Sequence, residues 1–347
     1  MSECALSVVI IARNEAAHIE RAIQSVLAGV KAWPQAEILL VDSASTDQTV
    51  EIARRYPISI VRLRPEQFRS AAAGRYLGML YTRGEFILHL DGDMELEPGW
   101  LEQALPFLAA HPESAGVDGY YRNLHVRDGR VLSEERMCEG LSDRVSATRY
   151  FCGAALYRRS ALEAVGGFNP YLISEEEPEL SIRLRHAGFT LNRLPALLCT
   201  HYGPIENSWE YIFRRSRTNL WAGYGQVPRY HLRSGLLGTV IRERSAYTLL
   251  YLLGLLGVIG AGALALFFRS WWPLAGVALA LVGILVVFWV KKRSLSETFK
   301  SLWIQTVVAY SAVRGFLMEP RLASDYPTAV EIIQTQPCYA GFSEVRT

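Results

Sequence analysis

The chain has 347 residues, 50% of them apolar and 20% charged, and its mean hydropathy is slightly positive. That composition excludes a disordered chain, which has too little apolar surface to offset its ordering entropy. A formal charge of +2 excludes a strong field aimed at nucleic acid.

The length predicts two structural units at roughly 150 residues each. Five cysteines (Cys4, Cys138, Cys152, Cys199 and Cys338) form no CxxC pair and no zinc-like spacing, so they read as reduced thiols facing a cytosol. The N-terminus carries Glu3 and no basic flank, so Leu6 to Ala12 is not expected to be a secretory signal. Leu6 to Ile11 is instead a short continuous apolar run, the pattern of a buried parallel strand. Ile19, Ala22, Ile23, Val26 and Leu27 then recur at helical spacing. Glu37 to Val41 predicts the next strand, and Ser45-Thr46-Asp47-Gln48 resembles a capping box opening a helix through Arg55. A strand over Ile58 to Leu63, a helix near Ser70 to Thr82 and a strand over Phe86 to Leu90 continue the alternation. The first half is therefore expected to be α/β: a parallel sheet covered by helices, with ligands gathering beyond the carboxyl ends of its strands. Tyr120 to Leu132 reads as a hairpin turning at Asp128-Gly129.

After about residue 228 the chain changes character. Residues 229–245 mix basic and apolar side chains as an interfacial helix does. Ala246 to Phe268 and Trp271 to Val290 carry no charge and reach about 34 and 30 Å, enough to cross a hydrocarbon core. Arg242 and Arg244 before them, and Lys291, Lys292 and Arg293 after them, predict a transmembrane hairpin (246–290) with both ends cytoplasmic. The apolar stretch Ser301 to Met318 contains Gln305 and Arg314, so within 291–347 an interfacial or docked helix is expected, then a mostly irregular tail after Pro320. The expected location is a cell (inner) membrane, with residues 1–228 on the cytoplasmic side.

Three acidic sites fall at the predicted sheet edge: Asp42, the turn Asp91-Gly92-Asp93, and Glu175-Glu176-Glu177 ahead of a helix. Each has a plainer reading as turn or helix-start chemistry. Together they suit a nucleotide diphosphate. Two carboxylates one residue apart hold Mg²⁺ or Mn²⁺, Gly92 lets backbone approach the phosphates, and a carboxylate across the cleft takes a proton from an attacking hydroxyl.

At these residues the chain resembles a known family. Leu6 to Glu15 (LSVVIIARNE), Val41 to Asp47 (VDSASTD), Leu90 to Asp93 (LDGD), Gly166 to Pro170 (GGFNP) and Glu176 to Leu180 (EEPEL) are similar to successive signatures of the family 2 glycosyltransferases with a GT-A fold, notably branches that assemble bacterial exopolysaccharides. The resemblance implies a mixed, mainly parallel sheet and a metal-dependent, inverting transfer from a nucleotide-diphospho-sugar. It places Ala12, Arg13, Asn14 and Glu15 along the donor nucleotide, Asp42 and Ser43 at its base or ribose, and Arg75 at the diphosphate or sugar. It makes Asp93 the principal metal ligand, with Asp91 in the metal shell and His201 completing it. The base falls at Glu177, with Glu176 as neighbour or substitute. No QxxRW motif follows, which argues against a processive synthase. The implied acceptor is a saccharide on a polyprenyl diphosphate, or polyprenyl phosphate itself, with membrane lipids as further partners. A non-catalytic membrane scaffold is the competing class, and a dinucleotide-dependent oxidoreductase is disfavoured because no GxGxxG follows the first strand.

Overall fold

The computed structural model describes residues 5–127, 130–137, 143–203 and 209–336. It divides into two compact units, one formed by residues 1–211 with 320–347, the other by Ile212–Glu319.

The first unit is built on one mixed, mainly parallel sheet. Its amino-terminal elements are β1 (Leu6–Ala12), α1 (Ile19–Gly29), β2 (Glu37–Asp42), α2 (Thr49–Ala53), β3 (Ser59–Arg62), α3 (Ala71–Leu80) and β4 (Phe86–Asp91), close to the expected alternation. β5 (Met94–Leu96), α4 (Leu101–Ala110), β6 (Ser114–Arg127), β7 (Arg130–Met137), β8 (Ser146–Ala147), β9 (Ala155–Arg158), α5 (Arg159–Ala164), α6 (Glu176–His186) and β10 (Thr190–Gly203) follow. Both β1 and β2 are buried along their whole length, as strands covered on both faces require. β1 lies between β2 and β4, parallel to both, and β2 runs parallel to β3. Beyond β4 the sheet continues through β9, β6, β10 and β5. β6 and β7 form the expected antiparallel pair; the proposed turn at Asp128-Gly129 lies outside the described residues.

Two glycines set the height of α3 on the sheet. A Cβ on Gly78 would stand 2.2 Å from Val9 Cγ1, and one on Gly74 2.9 Å from Ile11 Cγ2. Spaced i, i+4, they form one bare helix face that lies directly on β1.

The second unit is helical. α7 (Trp209–Arg217) leads into it, and α8 (Gly223–Tyr230), α9 (Leu237–Val240), a π turn (Ile241–Ser245), α10 (Ala246–Phe267), α11 (Trp272–Lys292) and α12 (Leu295–Leu317) follow. The interfacial helix expected over 229–245 is not one element. α8 stops at Tyr230, and Ser234 Oγ lies 2.9 Å from His231 Nδ1 while accepting from Leu236 N, which turns the chain. The next helix then runs without a break from Leu237 to Phe267, so Arg242 and Arg244 lie inside it. Among the described residues it is the one helix long and apolar enough to cross a membrane. α11 packs on α10.

The tail after Pro320 is described as far as residue 336 and contains one short strand. β11 (Glu331–Gln334) adds to β3 as an antiparallel edge strand of the first unit. Gln336 fixes its end, accepting from Ile38 N at 3.0 Å and donating to Ala36 O at 3.3 Å.

Candidate active site

The sheet register gathers the acidic residues. Ala12, the last residue of β1, stands opposite Asp42 on one side, and Ile11 stands opposite Asp91 on the other. Asp42, Asp91 and the turn after β1 therefore share one sheet edge, the position in which α/β sheets bind ligands.

Arg75 links this edge to α6. Seated by the glycine face of α3, it is 1% exposed. Its Nη2 donates to Asp91 Oδ1 at 2.8 Å and to Gly153 O at 3.1 Å. Its Nη1 donates to Glu176 Oε1 at 2.7 Å, and Glu177 Oε1 lies 3.0 Å from Nη2. One cation thus faces three carboxylates. Burial alone would lower the Arg75 pKa, but Asp91, Glu177 and Glu176 more than reverse it, so the guanidinium stays charged. The carboxylates carry the excess. Burial, then repulsion from Glu177, pushes Glu176 up to about 8 against the pull of Arg75, and burial lifts Asp91 to about 6. Glu175 ahead of α6 adopts φ 66°, a left-handed turn that swings the chain into the helix and places the following two side chains on Arg75.

Asp93 and His201 meet across β5 and β10. His201 pairs with Met94 in the antiparallel register, and its Nε2 lies 3.2 Å from Asp93 Oδ2. Its Nδ1 lies 3.0 Å from Asn123 Oδ1, whose amide nitrogen is turned to Met137 Sδ. With Nδ1–H donated to that carbonyl, a neutral imidazole presents its Nε2 lone pair to Asp93, an arrangement suited to sharing a cation. Asp93 Oδ1 is also buried with no hydrogen-bond partner. Among the described residues no group of three or more His, Cys, Asp or Glu is placed to hold a metal ion. The pair still fits Mg²⁺ or Mn²⁺, since such ions at phosphate sites use one or two protein ligands and take the rest from phosphate and water. Glu15 borders this spot. Burial and the nearby charges of Asp93, Asp91 and Asp47 push its pKa up to about 8.

The turn after β1 is laced to the turn after β2. Asn14 and Ala44 both have φ 59°. Asn14 N donates to Ser45 Oγ at 2.9 Å, and Asn14 Oδ1 accepts from Thr46 N at 2.8 Å. Asp47 accepts from Ala16 N through one oxygen and from Thr49 N through the other. The capping box expected at Ser45 is therefore absent: Asp47 holds the start of α2, and the Ser45 hydroxyl serves Asn14. Asp42 is fully buried, bonded by Arg62 Nε at 2.9 Å and by Ser45 N. Ser43 is buried beside it and Arg13 is exposed. Gly92 lies so close to β1 that a Cβ there would stand 3.0 Å from Ala12 Cβ.

Three participants escaped the sequence reading: Asn123 orients His201, Asp47 braces the turn after β1, and Arg62 neutralises Asp42. Gly153 gives Arg75 a carbonyl. Only Asp47, within the VDSASTD run, carried a local signal.

A sheet edge with paired strand-end carboxylates, a buried arginine and a carboxylate pair on a facing helix suits a nucleotide-sugar-dependent glycosyltransferase. Residues 7–166 match the family described as Glycosyl transferase family 2, and the first unit is a family 2 glycosyltransferase domain. The chain is 27% identical over 234 residues to Glycosyltransferase AglE of Haloferax volcanii, covering 64% of this chain and 73% of that protein. It is 26% identical over 199 residues to the Succinoglycan biosynthesis protein ExoA of Rhizobium meliloti, covering 53% of this chain and 59% of that one. Among solved structures, mannosyltransferase PcManGT from Pyrobaculum calidifontis, in complex with GDP-Man and Mn²⁺, shares the fold with a TM-score of 0.60 and 21% identity, over 90% of this chain and 87% of its own.

Proposed function

We propose that the protein is a membrane-anchored, metal-dependent, inverting glycosyltransferase that moves a sugar from a nucleotide-diphospho-sugar to a saccharide on a polyprenyl diphosphate. The observation that carries this reading is Arg75, whose two terminal nitrogens join Asp91 on the nucleotide side to Glu176 and Glu177 on the other. A donor whose diphosphate lies on the Asp91 side turns the opposite face of its anomeric carbon toward Glu177, so the acceptor oxygen enters in line with the departing phosphate oxygen, as inversion requires.

Ala12 to Glu15 and Asp42-Ser43 border the nucleotide, and Gly92 admits the diphosphate. Arg75 and Asp91 orient the sugar. Asp93 and His201 would hold Mg²⁺ or Mn²⁺, which would supply a Lewis acid to offset charge developing on the departing diphosphate. The acceptor hydroxyl oxygen bonds to the anomeric carbon, the bond from that carbon to the phosphate oxygen breaks, and the hydroxyl proton passes to Glu177. Glu177 is the choice over Glu176 because its side chain is the less buried of the two, at 16% against 8% exposure. The apolar helix Leu237–Phe267 supports membrane attachment. A hairpin with α11, its basic residues held at the cytoplasmic face, would complete that attachment.

The test is purified full-length protein incubated with a panel of nucleotide sugars and membrane lipids, with Mn²⁺ or a chelator, and product analysis by mass spectrometry. The expected product is a lipid diphosphate lengthened by one sugar, formed only with metal. A single sugar joined directly to phosphate would assign polyprenyl phosphate as acceptor. Absence of nucleotide diphosphate release under all conditions would contradict the enzyme reading.

A further inference from the structure

The small net charge of the chain conceals a sharp division. Residues 212–319 contain 13 Lys and Arg against three Glu, a formal +10, while the whole chain carries only +2. The helical unit is thus strongly basic as well as apolar, a combination suited to amphiphiles with anionic heads.

Within that unit lies a cavity of about 280 Å³ between α8, the Leu237–Phe267 helix and α12. Its origin is a backbone-to-backbone helix crossing. A Cβ on Gly225 would stand 1.7 Å from Ala312 O, and one on Gly315 2.0 Å from Ala222 O, so only glycine fits at either point. Where the helices diverge from this crossing, Tyr224, Leu232, Leu249, Leu252 and Phe316 line the space, which is open where Leu249 and Val313 stand half-exposed. The wall is almost wholly carbon, and Ser245, one of its few polar groups, is satisfied by Tyr224 O at 3.1 Å. Its aromatic residues carry cations: the Arg229 guanidinium sits 5.7 Å from the Phe316 ring, and that of Arg244 6.0 Å from the Tyr224 ring. Arginine remains charged at any working pH and matches phosphate geometry.

We propose that this cavity holds the isoprenoid chain of the lipid acceptor, with Arg229 and Arg244 engaging its phosphate. A single apolar compartment suits one chain rather than the paired chains of a bilayer phospholipid. The proposal rests on the glycosyltransferase reading and adds to it the place where the lipid is bound.

The test uses the full chain in nanodiscs and a diazirine-bearing polyisoprenyl phosphate. Crosslinks are expected on peptides spanning 223–252 and 308–317, competed by unlabelled polyisoprenyl phosphate and not by dioleoyl phosphatidylglycerol. Leu249→Trp and Val313→Trp, both at half-exposed positions on the cavity wall, should reduce labelling and raise the KM for the lipid about tenfold. That is the loss expected when burial of a pair of methylene groups is denied. Leu255→Trp, on the same long helix and outside the cavity lining, should leave labelling unchanged. Arg229→Gln should weaken the phosphate and not the corresponding polyisoprenyl alcohol. Equal competition by phosphatidylglycerol, or undiminished labelling in both cavity variants, would overturn the proposal. Sugar transfer to lipid with unaltered KM in those variants would leave the enzymatic reading standing and remove the cavity from it. Specific, competed labelling without any transfer would do the reverse.

Discussion

Arg75 and Glu176 lie 101 positions apart in sequence and meet at 2.7 Å, buried, with Asp91 2.8 Å from the same guanidinium. The helix glycines make this meeting possible by lowering α3 onto β1, so the contact depends on the packing of the whole unit.

Replacing that arginine should therefore be costly twice over. Arg75→Met leaves three carboxylates in one pocket without their cation, and removing one partner of a buried ion pair costs about 3–5 kcal/mol. Urea unfolding should show a loss of that order. Arg75→Lys offers a single ammonium in place of the fork that reaches Asp91, Glu176 and Glu177. It should regain part of the stability while sugar transfer stays at least about tenfold down.

The crowding of carboxylates also predicts a pH dependence. Glu176 is raised from 4.5 to about 8, chiefly by burial and Glu177, so the folded state retains a proton that the unfolded chain has released. Its contribution to stability is complete below about pH 4.5 and is lost as pH rises through about 8. In chelator, Tm should fall from about pH 6 to about pH 9, and Glu176→Gln should flatten that fall. Glu15, likewise raised to about 8, adds to the slope, and Glu15→Gln should remove its share. An unchanged slope in both variants would contradict the assignment.

Asp93 offers a separate handle. Asp93→Asn should lower calorimetric affinity for nucleotide diphosphate in Mn²⁺ at least about tenfold, the scale of one lost charge-assisted contact, and leave the weak affinity measured in chelator unchanged. Equal affinity of variant and parent in Mn²⁺ would remove Asp93 from the metal.

The tail makes its own prediction. Tyr326, 2% exposed, donates to Phe68 O at 2.6 Å and packs its ring edge-on against Tyr76 and Tyr171, while Tyr171 donates to Asp325 O. It wedges between the start of α3, which carries Arg75, and the loop leading to Glu176. Tyr326→Ala should cost about 3–5 kcal/mol, the range for emptying a buried aromatic site, and Tyr326→Phe only about 1. Chemical denaturation distinguishes the two.

Much of the first unit was legible because covered parallel strands read as unbroken apolar runs, as in Leu6–Ala12 and Phe86–Asp91. Asp42 and Asp91 were legible for the same reason, since each ends such a run, whereas Glu176 and Glu177 were marked by the helix that they open. What escaped depends on contacts distant in sequence. Glu331–Gln334 has only four residues and no alternation of its own, and it becomes a strand through pairing with β3. The Ser45 signature was a decoy because the left-handed residue Ala44 bends the turn toward Asn14, leaving Asp47 to start α2. Asn123 and Arg62 sit in strands with no local mark of their partners His201 and Asp42. The charge of the helical unit was hidden by averaging over the whole chain.

Glu177→Gln tests the catalytic account most directly. Donor affinity in Mn²⁺ and single-turnover sugar transfer should be measured together, beside Glu176→Gln. The account predicts donor affinity within about twofold of the parent and transfer slowed about 10²-fold or more, the scale of a general base. Transfer at the parental rate in Glu177→Gln would contradict it.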